Sequence, residues 1–439
     1  MLARAAALPR AALRQEALAR GLLLFLLLSA LQSFAFFTFN VRTSRVGLWD
    51  ATYTYWHDHG FFASGGVIYF AGRAYQDVPG WQSTSSEFGV YRNAAAGSLA
   101  PIYFLQTVSR ALTGSVEPWI EPLWGLLIMT LGATFLALLV SDMLRALEFG
   151  GTESVTLGLL AGAAFQNFAP NLNVVAYPEP TTIGINLMIA MVFLVNRLAG
   201  AVELHRRRLL RVIGVLAFSW ALVDMPPLPV FFLVAMALSL FFSKDLPLDW
   251  REFVRWFVLP VVAALALFAA QQAYVQLVLH VEWTGSSMLY RMGLTEGRGL
   301  SHDEVFSRGR DGRYAWKWFF EGSVGALVFS AGWLFRRRTK EGAEVRPFTA
   351  TYARVFALVI ILASTYLFDL AVFSNHVIIH PYMFDPYIYL PCVLALFVLF
   401  VAALRQLGLQ SRTIAHAYVL MTTLLLWTDW QNYVGHREL

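Results

Sequence analysis

The chain has 439 residues, of which 58% are hydrophobic and 14% are charged, with a formal net charge of +5. A soluble protein carries about a quarter charged residues, and here the apolar residues gather in long blocks that water cannot solvate. The one cysteine, Cys392, excludes an intrachain disulfide and a metal site built from cysteines. We therefore expect an all-α polytopic membrane protein with about 11 transmembrane helices.

The first apolar run covers residues 21–39 and follows a segment with four arginines. A signal peptide has this pattern, but no small-x-small cleavage site follows and more spans come after it, so we expect an uncleaved first span. Three prolines between residues 225 and 230 separate two later runs, as one kinked helix or as a tight re-entry; the summed length favours the re-entry. The candidate spans after the first one are 120–144, 154–170, 182–198, 211–225, 227–242, 257–280, 318–335, 355–375, 387–404 and 414–430.

The positions of the basic residues predict the orientation. With a cytoplasmic N-terminus, the short outer loops 171–181, 224–229 and 376–386 contain no Lys or Arg, whereas each inner loop does. The consistent alternation predicts both the number of spans and their direction, and it puts the candidate acids at the outer ends of the spans on the extracytoplasmic side. The basic residues of the inner loops are Arg145, Arg197, Arg206, Arg207, Arg208, Arg211, Lys244, Arg251, Arg255, Arg336, Arg337, Arg338, Lys340, Arg346, Arg354, Arg405 and Arg412.

Two outer loops, 40–118 and 281–317, are far too long for simple turns within a single transmembrane domain, 1–439. In the first loop, residues 48–69 are aromatic and interrupted by glycines, and residues 98–112 have apolar residues at helical spacing. Both segments predict amphipathic helices that lie along the membrane surface. The polar, Gly/Ser-rich stretch 72–97 between them predicts a loop.

Acidic residues at the outer ends of the spans are the first candidates for chemistry. Asp50 comes about ten residues after the first span, where aromatic surroundings would raise its pKa and suit a general base; an interfacial helix N-cap is the alternative. Glu179 lies between two prolines in a tight turn, which aims its side chain but also fits a solvated turn acid. Acids inside a membrane are costly and mark function or a partner, but Asp224 lies at the end of an apolar helix, where the cost falls, so it is a second-rank candidate.

Basic and aromatic residues of the outer loops are candidates for substrate binding. Arg92, which follows Tyr91, and Arg291 fit a clamp on phosphate oxygens, although attraction to lipid headgroups explains such residues equally well. His376 and His380 have the four-residue spacing of metal ligands, but Pro381 breaks the helix and no zincin Glu accompanies them. We expect them, together with Tyr382, to contact substrate, and we predict no metal and no cofactor.

In its layout the chain resembles the GT-C glycosyltransferases, polytopic enzymes that use lipid-phosphate-linked sugars and include the protein mannosyltransferase and aminoarabinose transferase families. Asp50 follows the first span, and an aromatic, Gly-rich stretch, 53–66, comes next. A surface helix over 98–114 precedes the second span, Glu179 lies between spans three and four, and 375–391 resembles the family's late His-aromatic-Pro segment. The family's first acid often stands in an Asp-Glu pair, whereas Ala51 follows here, so Asp58 or Glu87 could replace Asp50.

The resemblance implies an inverting transfer of a sugar from a polyprenyl-phosphate donor to a hydroxyl on a glycan, lipid or protein acceptor, with no nucleic acid as partner. Asp50 and Glu179 would be catalytic. The residues expected to bind substrate and phosphate are Tyr53, Glu87, Tyr91, Arg92, Asp224, Arg291, His376, His380 and Tyr382.

Two other classes stay open at this point. A transporter or flippase of a lipid-linked substrate is the main alternative, although the chain shows no paired halves and its polar residues gather toward the outer face. A polymerase or ligase would carry Arg and His in a large late loop, as 281–317 does. The Ala/Leu/Arg-rich composition and the lack of a visible retention signal favour the inner (plasma) membrane of a bacterial cell envelope.

Overall fold

The computed structural model describes residues 50–71, 81–83, 88–91, 97, 99–117, 119–147, 149–167, 180–223, 227–242, 246–278, 350–372, 398 and 413. The predicted spans 21–39, 318–335 and 414–430, nearly all of 387–404, and the loop 281–317 lie outside these residues. The described part is helical apart from one small sheet. Its nine helices are α1 Asp50–His59, α2 Ala100–Thr113, α3 Ile120–Ala146, α4 Gly151–Asn167, α5 Pro180–Leu198, α6 Glu203–Val223, α7 Pro227–Phe242, α8 Trp250–Leu277 and α9 Ala350–Val372.

The first loop differs from its prediction in two places. Helix α1 ends at His59, because Gly60 adopts a left-handed backbone (φ +85°), so the helix expected over 48–69 is wrong in its second half. The expected loop 72–97 contains two strands of an antiparallel sheet with order β1-β3-β2. The strands are β1 Ile68–Ala71, β2 Trp81–Ser83 and β3 Phe88–Tyr91, and their aromatic and β-branched residues favour extended pairing.

Seven predicted apolar runs, from 120–144 to 257–280 together with 355–375, coincide with described helices, so their helical state is confirmed. Among the described helices, α3 (27 residues) and α8 (28 residues) are long and apolar enough to cross a membrane. At 1.5 Å per residue each spans about 40 Å, against about 30 Å of hydrocarbon. By length and composition alone, these two helices fit a chain that associates with a membrane.

Helix α6 ends before the proline-rich junction and α7 begins at its second proline. The rings of Trp220, near the end of α6, and Phe232, in α7, lie 5.2 Å apart. Twelve residues along one straight helix would separate them by about 18 Å. The two helices therefore do not continue one straight axis, and the junction itself, residues 224–226, lies outside the described residues.

Small residues let the central helices approach closely. A Cβ on Gly158 of α4 would lie 2.4 Å from the carbonyl oxygen of Ala137 in α3, and one on Gly132 of α3 would overlap the side chain of Asn186 in α5. Close van der Waals packing of this kind holds the helices together.

The two ends of the bundle differ in charge. At the basic end, Asp142 near the end of α3 is 2.9 Å from Arg197 near the end of α5. Arg206 in the first turn of α6 bonds the carbonyl of Leu198 and pairs with Glu252 at the start of α8. Helices α3 and α5 thus end at the same end of the bundle at which α6 and α8 begin. This arrangement matches the predicted alternation of the basic loops.

Candidate functional site

At the opposite end, which we call the aromatic end, α3 begins and α6 and α8 finish. Here the described parts of the first loop, residues 50–68 and 97–113, fold over the bundle as a cap. Gly97 lies so close to α6 that a Cβ would be 2.3 Å from the carbonyl oxygen of Leu222. The apolar core of the cap is separate from the main core and consists of Tyr53, Trp56, Val67, Ile68, Leu99, Ile102, Tyr103, Ile120 and Val275.

Trp56 of α1 is the centre of this cap. Its side chain is fully buried, and its indole N–H donates to the carbonyl oxygen of Val67 at 2.9 Å. The hydroxyl of Tyr103, in α2, donates back to the carbonyl oxygen of Trp56 at 3.1 Å. The rings of Phe61 and Tyr103 meet the indole edge-on, with centroids 4.9 and 5.5 Å away. One aromatic side chain therefore joins α1, α2 and the turn between α1 and the sheet.

That turn is held by the last turns of α8. Gly65 and Gly66 both have positive φ, and the side-chain amide of Gln271 donates to both of their carbonyl oxygens, at 3.0 and 2.8 Å. The hydroxyl of Tyr274 donates to the carbonyl oxygen of Ala63. A Cβ on Gly65 would lie 2.6 Å from the Tyr274 ring. The turn at Gly65 and Gly66 thus packs directly on the polar side chains of Gln271 and Tyr274, and only glycine leaves room for the Tyr274 ring at position 65.

His57 and Gln106 form a polar contact between α1 and α2. The His57 Nε2 and the Gln106 side-chain oxygen are 3.4 Å apart. Partial burial lowers the pKa of the His57 imidazole below its usual range, and nearby Arg110 acts in the same direction, while Gln106 and Asp58 oppose it. Asp58, the next residue, is exposed at the end of α1.

The outer face of the cap is apolar. Helix α2 buries Ile102, Tyr103 and Gln106 on one side, as its predicted amphipathic pattern requires. On the other side and on the preceding turn, large hydrophobic side chains are exposed: Phe62, Phe104, Leu105, Val108 and Leu112. Several large hydrophobic side chains exposed on one helix are typical of an interaction with a membrane or a protein.

Two of the predicted site residues, Asp50 and Tyr53, fall in the cap, and a third, Tyr91, falls in the sheet that pairs with it. Asp50 is the first residue of α1, one turn before Tyr53, whose ring is buried beside Trp56 with 6.4 Å between centroids. Tyr91 is paired in the sheet with Ile68, which belongs to the cap core. The fold therefore brings the backbone of residues 50, 53 and 91 to one region, although 41 residues separate the first from the last.

The other predicted site residues lie outside the described part of the chain, where their roles stay predictions: Glu87, Arg92, Glu179, Asp224, Arg291, His376, His380 and Tyr382. Two of them adjoin described helices. Helix α5 begins at Pro180, directly after Glu179, and α6 finishes at Val223, directly before Asp224. Both of these helix ends are at the aromatic end.

Sequence reasoning missed the residues that fasten the cap: Trp56, Tyr103, Gln106, Gln271 and Tyr274. The adjacent amides Gln271 and Gln272 inside the apolar run 257–280 were the available signal, since buried amides in an apolar helix require partners. Among the described residues, no three His, Cys, Asp or Glu side chains come together in a way that could hold a metal ion.

Comparisons with known proteins add no identity: no family model, no curated protein and no solved structure matches the chain.

Proposed function

We propose that this protein is an inverting glycosyltransferase of the extracytoplasmic membrane face, which moves a sugar from a polyprenyl-phosphate donor to a hydroxyl acceptor. The observation that carries the proposal is the cap. A surface helix that begins with an acid, α1, is fixed by Trp56 and α2 to the end of the bundle where α3 begins and α8 finishes. This is the arrangement that the layout resemblance to the GT-C enzymes implies for the first loop.

The apolar outer face of the cap supports the choice of substrate. An isoprenoid chain must reach the reacting phosphate from the bilayer, so the site has to adjoin lipid. The exposed side chains of α2, among them Leu112 at 80% and Val108 at 54%, give the cap a surface suited to the interface between hydrocarbon and headgroups. A site beside this surface keeps the lipid tail in the membrane while the sugar meets water.

In the proposed reaction Asp50 takes the proton of the acceptor hydroxyl as its oxygen forms a bond to the anomeric carbon. The bond from that carbon to the phosphate oxygen breaks on the opposite face, so the configuration inverts and polyprenyl phosphate leaves. Arg92 and Arg291 stabilise the charge that develops on the phosphate. Glu179, which precedes the first residue of α5, is the second acid of the site.

The test is transfer by the full-length protein in liposomes that contain radiolabelled polyprenyl-phosphate sugars, with release of polyprenyl phosphate as the readout. We expect Asp50→Asn to lower the rate by about 100-fold or more, the usual effect of removing a general base. The matched control is Asp58→Asn in the same helix, because Asp58 is exposed and its loss removes the same charge.

The outcomes separate the reaction from the residue that performs it. If Asp58→Asn abolishes release while Asp50→Asn does not, the base is misassigned and the reaction stands. If the unsubstituted protein releases no polyprenyl phosphate but moves the intact lipid-linked sugar across the bilayer, the protein is a flippase and the enzyme proposal is wrong.

A further inference from the structure

A cavity at the basic end lies far from the cap and has no part in the proposed transfer. It opens between the first turns of α6 and α8 and encloses about 440 Å³. Its lining contains five arginines, two glutamates, one leucine and one tryptophan, which leaves three uncompensated positive charges. Most of the lining residues lie in segments that the sequence analysis predicts to be cytoplasmic loops, and the structure has these segments in α6 and α8.

Two of the five arginines are engaged in the fold. The guanidinium of Arg206 forms a two-pronged pair with Glu252, in which Nε to Oε1 is 2.9 Å, and it also donates to the carbonyl oxygen of Pro247. Arg207 pairs with Glu203, one turn earlier in α6, at 2.8 Å. Both glutamates of the cavity are thereby neutralised.

The other three arginines have no such partner. Arg211, Arg251 and Arg255 are exposed, and none of them forms an ion pair with any residue that the structure describes. They approach the same cavity from α6 and from the start of α8. Guanidinium groups from two helices around one space form a donor set suited to phosphate oxygens, which they bind in two-pronged fashion.

The inner wall of the cavity is apolar. Leu210 is buried, and the indole of Trp256 packs so closely on α6 that a Cβ on Gly214 would lie 3.0 Å from the ring. The guanidinium carbon of Arg255 lies 5.1 Å from the centre of the Trp256 ring. Residues 254–258 form a π-helical turn, which places Arg255 and Trp256 at a local widening of α8.

We propose that this cavity binds the phosphate headgroup of an anionic phospholipid. Cations at the mouth meet the phosphate, and the Trp256 and Leu210 wall meets the apolar part of the lipid below the headgroup. Basic pockets between helices on the cytoplasmic side of a membrane bind anionic headgroups in this way. The apolar wall favours a lipid over a soluble phosphate, which would need cations alone.

The experiment measures phosphatidylglycerol that stays bound to the full-length protein after extraction from vesicles of phosphatidylcholine and phosphatidylglycerol, by native mass spectrometry. We expect Arg211→Gln and, separately, Arg255→Gln to weaken lipid binding by about tenfold or more, because a charge-assisted hydrogen bond to phosphate contributes at least about that much. Arg208→Gln is the matched control: Arg208 is exposed on the same helix but does not line the cavity. It should change binding by less than about twofold.

Two results would overturn the proposal. Equal loss of lipid in the Arg208→Gln variant would mean that the summed positive charge of the basic end attracts the lipid, without a defined binding site. Displacement of bound phosphatidylglycerol by inorganic phosphate would identify a site for soluble anions. Thermal unfolding of each variant checks folding: since none of these arginines forms an ion pair with a described residue, the melting temperature should not move for Arg208→Gln and Arg211→Gln, and it should fall only slightly for Arg255→Gln, which loses its contact with the Trp256 ring.

Discussion

The aromatic end and the basic end of the bundle are held together by different interactions. At the aromatic end, Trp56 and its neighbours bury large rings and bond to backbone carbonyls, so burial of area supplies the stability. At the basic end, the pairs of Asp142 with Arg197 and of Arg206 with Glu252 join helix termini and stay partly exposed. Salt screens exposed pairs and leaves apolar burial intact, so the two ends should respond differently to the same perturbation.

The largest effect is expected from Trp56→Ala. It removes a fully buried indole and the hydrogen bond to Val67, and should cost about 3–5 kcal/mol of cap stability. Limited proteolysis within residues 60–67 reports the loss. The control is Phe62→Ala, since Phe62 is 83% exposed and its truncation should leave cleavage unchanged. Equal sensitivity of the two variants would contradict a packed cap.

Between the two ends, Gly158→Ala should destabilise the bundle itself by about 1–3 kcal/mol, because the new Cβ meets the backbone of α3 at 2.4 Å. Gly151→Ala in the same helix has open space around it, so it should be neutral. The melting temperature of the purified protein distinguishes the two variants. A bundle that tolerates both would not be held by close packing of α3 and α4.

A smaller effect is expected at the basic end. Glu252→Gln leaves Arg206 with weaker acceptors and should cost about 1 kcal/mol. The Glu203 to Arg207 pair is about 70% exposed on each side, so Glu203→Gln should cost less than about 0.5 kcal/mol. Unfolding at low and high salt measures the contrast, and the gap between the Glu252 variant and the unsubstituted protein should narrow in high salt.

The smallest effect is a pH dependence at the aromatic end. Because burial lowers the pKa of His57 in the folded cap, the unfolded chain binds its proton more tightly. The contribution of His57 is therefore complete above its ordinary pKa of 6.5 and is lost as the pH falls through the lowered pKa of the folded state. Cap proteolysis should quicken over this interval, and His57→Gln should reduce the change. An unaltered pH profile in that variant would assign the dependence to other groups.

The local pattern was enough to predict most helices and the separation of charge. Apolar runs of spanning length require helices, because an unpaired backbone is too costly in hydrocarbon, and basic residues mark the ends of those runs. The same reasoning failed over 60–91, where a few aromatic and β-branched residues in a Gly-rich stretch form a sheet. Short strands depend on partners far along the chain, such as Ile68 with Tyr91, which no local pattern reveals.

By itself, the sequence determined where the apolar helices lie, that Pro226 and Pro227 interrupt them, and which ends are basic, since each of these follows from residues adjacent in the chain. Only the tertiary structure decided that Gln271 and Tyr274 donate hydrogen bonds to the turn at residues 63–66, about 200 residues earlier in the chain. It also decided that arginines of α6 and α8 line one cavity. Such contacts depend on how two helices pack against each other, and side-chain packing is set by the whole bundle rather than by any segment of it.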